Sequence, residues 1–127
     1  MSLKEINTSL LAIETQFDEL KQRYPALARE SATARVDYEL ENARVLDEIA
    51  HEIVLQQADD PKFKMTVDEK SAQALLRTAD LYRAYRETEA ERDGTKMLID
   101  VLQSQLTSVQ TRVKLELIEG GLITSQT

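Results

Sequence analysis

LKEINTSLLAIETQFDELKQRYPAL, Leu3 to Leu27, decides the fold class. Its apolar residues Leu3, Ile6, Leu10, Ile13, Phe17, Leu20, Tyr24 and Leu27 recur at alternating intervals of three and four. That period draws one stripe along an α-helix, whereas a strand would scatter the same residues over both of its faces. Lys4, Glu5, Glu14, Asp18, Glu19, Lys21 and Arg23 fill the positions between, as a solvated face requires. So narrow a heptad seam is stable only against another helix, from this chain or from a second copy.

Pro25 has no amide hydrogen and restrains Tyr24 before it, so a helix over about 3–23 is expected to kink or to break briefly there. A second helix over about 26–57 follows, with Pro25 near its first position. Its apolar positions Val36, Leu40, Ala43, Leu46, Ile49, Ala50, Ile53 and Val54 make a wider stripe than the first, wide enough to meet more than one helix.

ADDPKFKMT, Ala58 to Thr66, is read as a turn over 58–66 from its Asp pair and Pro61. Thr66 with Glu69 three residues on is a capping box that starts a helix expected over about 67–119. Ile99, Leu102, Leu106, Val109 and Val113 form a second seam in its C-terminal half, and Gly120-Gly121 ends it. A short tail over 120–127 carries Leu122 and Ile123. The expected architecture is a single all-α domain: a long helical hairpin with an N-terminal heptad helix, coiled-coil-like packing and an oligomeric state. The residues expected at the oligomer interface are Leu3, Ile6, Leu10, Ile13, Phe17, Leu20, Ile99, Leu102, Leu106, Val109 and Val113.

Composition narrows the chemistry. With no cysteine among 127 residues there is no disulfide framework, thiolate metal site or cysteine nucleophile. Neither a glycine-rich phosphate loop nor a nucleophile elbow occurs, so no enzyme activity and no cofactor are expected. Glu48 and His51 form a single Glu-x-x-His half-motif; a carboxylate-bundle site needs that motif twice, which with one histidine per chain only a dimer could supply, and no metal is expected. No apolar run approaches the roughly 20 residues that span a bilayer, and no membrane association is expected. The first ten residues lack the apolar core of a signal peptide, so the expected setting is cytoplasmic.

The net charge of −7 opposes binding of a polyanion by bulk electrostatics. Against that background RTADLYRAYR, Arg77 to Arg86, stands out for its three arginines and two tyrosines. Guanidinium groups on phosphates and phenol rings on bases make a single-strand platform. The opposing reading pairs each arginine with a local acid: Arg77 with Asp80, Arg83 with Glu87 and Arg86 with Glu89. Lys62 and Lys64, flanking Phe63 in the turn, add a small basic contact point or a plain solvated turn.

TARVDY, Thr33 to Tyr38, on a long helix, followed by KMTVDEKSAQALL opening another, resembles the small phage recombination mediator proteins of the UvsY type. The match rests on Ala34, Arg35, Asp37 and Tyr38, while Thr33 stands where that pattern carries a lysine. The resemblance implies a helical oligomer that binds single-stranded DNA and helps load a recombinase onto strands covered by single-strand-binding protein. It implies the host cytoplasm as the setting, and it makes Arg35 a strand-binding residue. The candidate nucleic-acid contacts are therefore Arg35, Lys62, Lys64, Arg77, Tyr82, Arg83, Tyr85 and Arg86. Two other readings fit the residues: an acidic helical inhibitor or adaptor, in which Glu39, Glu41, Asp47, Glu48 and Glu52 meet a basic protein surface, and a coiled-coil scaffold without a ligand.

Overall fold

The computed structural model describes residues 2–120, and all of their regular structure is helical. Helix α1 spans Leu3–Asp59, α2 Val67–Arg77 and α3 Ala79–Glu119. The chain divides into two compact units, one of Met1–Ala26 with Arg92–Thr127 and the other of Leu27–Glu91. One long helix, α1, contributes to both.

Helix α1 starts on a reciprocal cap that the sequence reading did not pick out. Ser2 Oγ accepts from the Glu5 amide while Glu5 Oε2 accepts from the Ser2 amide, both at 3.2 Å. The helix then runs 57 residues with Pro25 inside it, in place of the two helices expected on either side of the proline. A proline in a helix interior costs about 3 kcal/mol, since the carbonyl four residues back loses its donor. Pro25 lies on the exposed side, and the spacing of covered residues passes through it without a change of phase, from Tyr24 to Leu27, Ser31, Ala34 and Tyr38. Burial of Leu27 to 5% exposure, two residues beyond the proline, works against that cost.

In the first unit the two sequence seams meet each other. Leu20 of α1 shares a groove with Leu98, Val101 and Leu102 of α3, and Tyr24 shares one with Ile99. Ile6, Leu102 and Leu106 are buried at 1%, 8% and 7% exposure. Leu10, Ile13, Phe17, Leu20, Ile99, Val109 and Val113 are half-buried, and Leu3 is exposed. The seams expected to seek another copy are thus largely covered within one chain, because two stripes of matching period running antiparallel satisfy each other.

In the second unit α1 turns back through residues 60–66. Lys62 N–H donates to Asp60 Oδ1 and the Phe63 amide to the Asp60 carbonyl, at 3.2 and 3.0 Å, an aspartate-led turn of the kind the Asp pair promised. Gln57 Nε2 reaches the Phe63 carbonyl at 3.0 Å, and Phe63 is half-buried. Thr66 caps α2 with its hydroxyl on the Glu69 amide at 3.1 Å. Val45 and Ile49 of α1 close on Ala74 of α2, with Ile53 and Met65 packed around them.

The single helix expected over 67–119 is divided at Thr78, whose φ of −113° and ψ of 16° leave helical geometry for one residue. The hydrogen bonds nonetheless continue: the Thr78 amide and hydroxyl both donate to the Ala74 carbonyl, at 3.0 and 2.8 Å, and its carbonyl accepts from Tyr82. A threonine hydroxyl competing for the carbonyl four residues back is a known source of such bends. Helix α3 ends at Glu119, with the Gly120 amide on the Glu116 carbonyl. The tail expected at 120–127 lies, beyond Gly120, outside the described residues.

Candidate nucleic-acid interface

Three tyrosines meet in the second unit. Tyr38 comes from the seam face of α1, and Tyr82 and Tyr85 come from the first turns of α3, where three-residue spacing puts both on the side facing α1. The Tyr38 ring lies 5.2 Å from Tyr82 at an interplanar angle of 59°, and 6.0 Å from Tyr85, nearly parallel at 15°. Both separations suit offset or tilted aromatic contact. A groove opens beside them, with Asn42 and Leu46 of α1 on one wall and Ser71 and Leu75 of α2 on the other; Tyr38, Tyr82 and Ala74 complete its lining.

Two guanidinium groups flank this cluster. The Tyr85 hydroxyl donates to Glu89 Oε2 at 2.9 Å, and that bond, with some loss of solvation and the Glu89 charge, raises the phenol pKa. Arg35 and Arg86 act in the opposite direction, so both lie close enough for their charges to be felt at the ring. Neither is bare. Arg86 donates to Glu89 Oε1 at 2.8 Å, as its spacing predicted, and Arg35 Nε lies a loose 3.8 Å from Glu39.

The other candidates lie elsewhere. Arg77 takes Glu52 and Glu48 of α1 as its acids rather than Asp80. Glu48 is ten residues from Tyr38 along α1, about 15 Å of helix. Arg83 is exposed and forms no ion pair with Glu87 among the described residues. Lys62 and Lys64 are exposed on the turn and likewise unpaired among the described residues. Of the eight candidates, then, Arg35, Tyr82, Tyr85 and Arg86 are brought together. Tyr38 joins them as a contact the candidate set lacked, although it stood in the TARVDY stretch.

The setting is acidic. Leu27–Glu91 holds 15 acidic and 9 basic residues, a net charge of −6. Glu48, half of the Glu-x-x-His motif, accepts from Arg44 at 2.9 Å and lies 3.6 Å from Arg77. Among the described residues no group of three His, Cys, Asp or Glu side chains could hold a metal ion, and no helix is long and apolar enough to cross a membrane. No protein-family model matches this chain, and neither curated proteins nor solved structures provide a match.

Proposed function

We propose that this chain is an accessory protein of phage-type recombination that binds single-stranded DNA and protein partners as an oligomer. The observation that carries the reading is a convergence. Arg35 and Tyr38 belong to the stretch that resembles recombination mediators, while Tyr82, Tyr85 and Arg86 belong to a separate stretch singled out for its composition. The rings from the two stretches are in contact, and the charges of Arg35 and Arg86 both reach Tyr85.

Tyr82, which is 36% exposed and lines the groove, offers its ring to a base entering there, and Arg35 and Arg86 offer charge to the adjoining phosphates. The Arg35–Glu39 ion pair is exposed and weak in water, and the Arg86 guanidinium is itself exposed, so both cations can turn to a phosphate. The acidic surroundings make this a salt-sensitive, multi-copy binder rather than a tight monomeric one. The partners in this reading are a recombinase or a single-strand-binding protein, in the host cytoplasm.

Fluorescence anisotropy of a labelled single-stranded oligonucleotide, titrated at low and then rising salt, tests it. Tyr82→Ala should weaken binding by roughly 5- to 100-fold, the size of one lost base stack, and Arg86→Ala should flatten the salt dependence. Absence of binding at low salt by the assembled protein would sink the proposal.

A second reading, an acidic helical adaptor or scaffold without nucleic acid, is favoured by the charge of −6 on the unit that carries the arginines. Its mark would be capture of a cationic protein surface, with no strand binding and no effect of Tyr82→Ala.

A further inference from the structure

Helix α1 is apolar on two opposite sides within the second unit. Tyr38, Val45 and Ile49 face α2 and α3. Val36, Leu40, Ala43, Ala50 and Val54 recur at intervals of four, three, seven and four, which puts them half a turn away on the far side. They are exposed, Leu40 to 67% and Val54 to 62%.

This outer face has a shaped feature. Asp47, Ala50, His51 and Val54 border a shallow depression that extends to Arg44. Their spacing of i, i+3, i+4 and i+7 is that of the four-residue hole that receives one side chain of a facing helix. Small Ala50 at its edge leaves the room, and the most prominent apolar side chain on the same face is Leu40.

From this the geometry points to a second copy of the chain as the occupant: two α1 helices pair antiparallel through their outer faces, and Leu40 of each fills the hole of the other. One register satisfies the whole face. With the two-fold axis near Val45, Leu40 meets Ala50 of the second copy, a large residue against a small one, and Val36 meets Val54. Asp47, the one charge on the stripe, then lies beside Arg44 of the second copy, whose guanidinium already rests on Glu41 and Glu48. A parallel pairing would instead set Asp47 against Asp47 and Leu40 against Leu40. Antiparallel pairing also brings the flank bearing Arg35, Asn42 and Leu46 against its own copy across the axis. Both tyrosine-lined grooves therefore open on one side of the pair, as a strand spanning two copies requires.

The inference rests on the oligomeric part of the proposed function and is independent of its nucleic-acid part. The chain has no cysteine, so introduced thiols report on pairing without background. Wild type should have twice the chain mass by light scattering, and Leu40→Glu should return it to one chain with unchanged helical circular dichroism. Under mild oxidation Leu40→Cys combined with Ala50→Cys should yield a covalent dimer, whereas Leu40→Cys alone should yield none. A cross-link from Leu40→Cys alone, or an assembled double variant that stays uncross-linked, overturns the antiparallel register. A monomeric wild type overturns both the pairing and the oligomeric reading, while a dimer that binds no strand leaves the pairing standing and removes only the nucleic-acid reading.

Discussion

Arg77 holds Glu52 with two parallel hydrogen bonds, Nη1 to Oε1 at 3.1 Å and Nη2 to Oε2 at 2.8 Å, joining the last turn of α2 to α1 across 25 residues of chain. The fork of the guanidinium matches the carboxylate, the geometry in which such a pair is strongest. Arg77 sits at the C-terminal end of α2, where a cation also suits the helix dipole.

The pair has an acid-limb signature. The hydrogen bonds from Arg77 hold the Glu52 carboxyl below its ordinary range. A lowered pKa means that its contribution to stability is present above the unfolded-state value and is lost as pH falls through the folded one. Thermal unfolding from pH 7 to pH 3 should find Glu52→Gln less stable than wild type at neutral pH. The two should converge at the acid end. Added salt should shrink the gap as well, since both side chains are exposed to solvent.

Tyr85 gives the matching alkaline signal. Its hydroxyl is held by Glu89 and its pKa is raised, so the contact contributes below the ordinary tyrosine pKa and is lost as pH rises through the folded value. In an ultraviolet titration of tyrosinate, Tyr85 should ionise above the ordinary tyrosine range. Glu89→Ala should bring Tyr85 back towards that ordinary range.

Ile49 is 1% exposed at the centre of the second unit's core. Ile49→Ala should cost about 2–5 kcal/mol in denaturant unfolding, from lost burial and the cavity left behind. Val54→Ala, five residues on and so on the outer face, should cost under about 1 kcal/mol in conditions that keep the chain monomeric.

Gly94 lies within α3, where a Cβ would meet nothing within 4 Å. Gly94→Ala should therefore stabilise the fold by about 1 kcal/mol, through helix propensity and a less flexible unfolded chain. A lower midpoint in chemical denaturation would contradict this.

Ser31 is buried to 1% exposure, and its hydroxyl has no hydrogen-bond partner among the described residues. A buried unsatisfied hydroxyl costs about 1–3 kcal/mol, and alanine is also the better helix former. Ser31→Ala should raise the unfolding midpoint, whereas Ser31→Asn should lower it.

The sequence by itself determined that the chain is helical, because only a helix turns three-and-four spacing into one stripe, and it determined the local chemistry. The Thr66 cap and the Arg86–Glu89 pair were legible because their partners lie within one turn of each other. What the tertiary structure decided is partnership at a distance. An apolar seam carries no address, so residues 3–27 did not disclose that their partner was α3 of the same chain. Arg77 had an acid three residues away and took two others across the helix pair, since packing brought Glu52 into a better geometry than Asp80 could offer. Continuity through Pro25 was hidden for a related reason: a local penalty of about 3 kcal/mol is readable from one residue, while the burial set against it, as at Leu27, comes only from packing. Arg35 and Tyr38 were likewise visible only as a short motif. Their meeting with Tyr82, Tyr85 and Arg86, residues more than 40 positions away, came from packing two helices together.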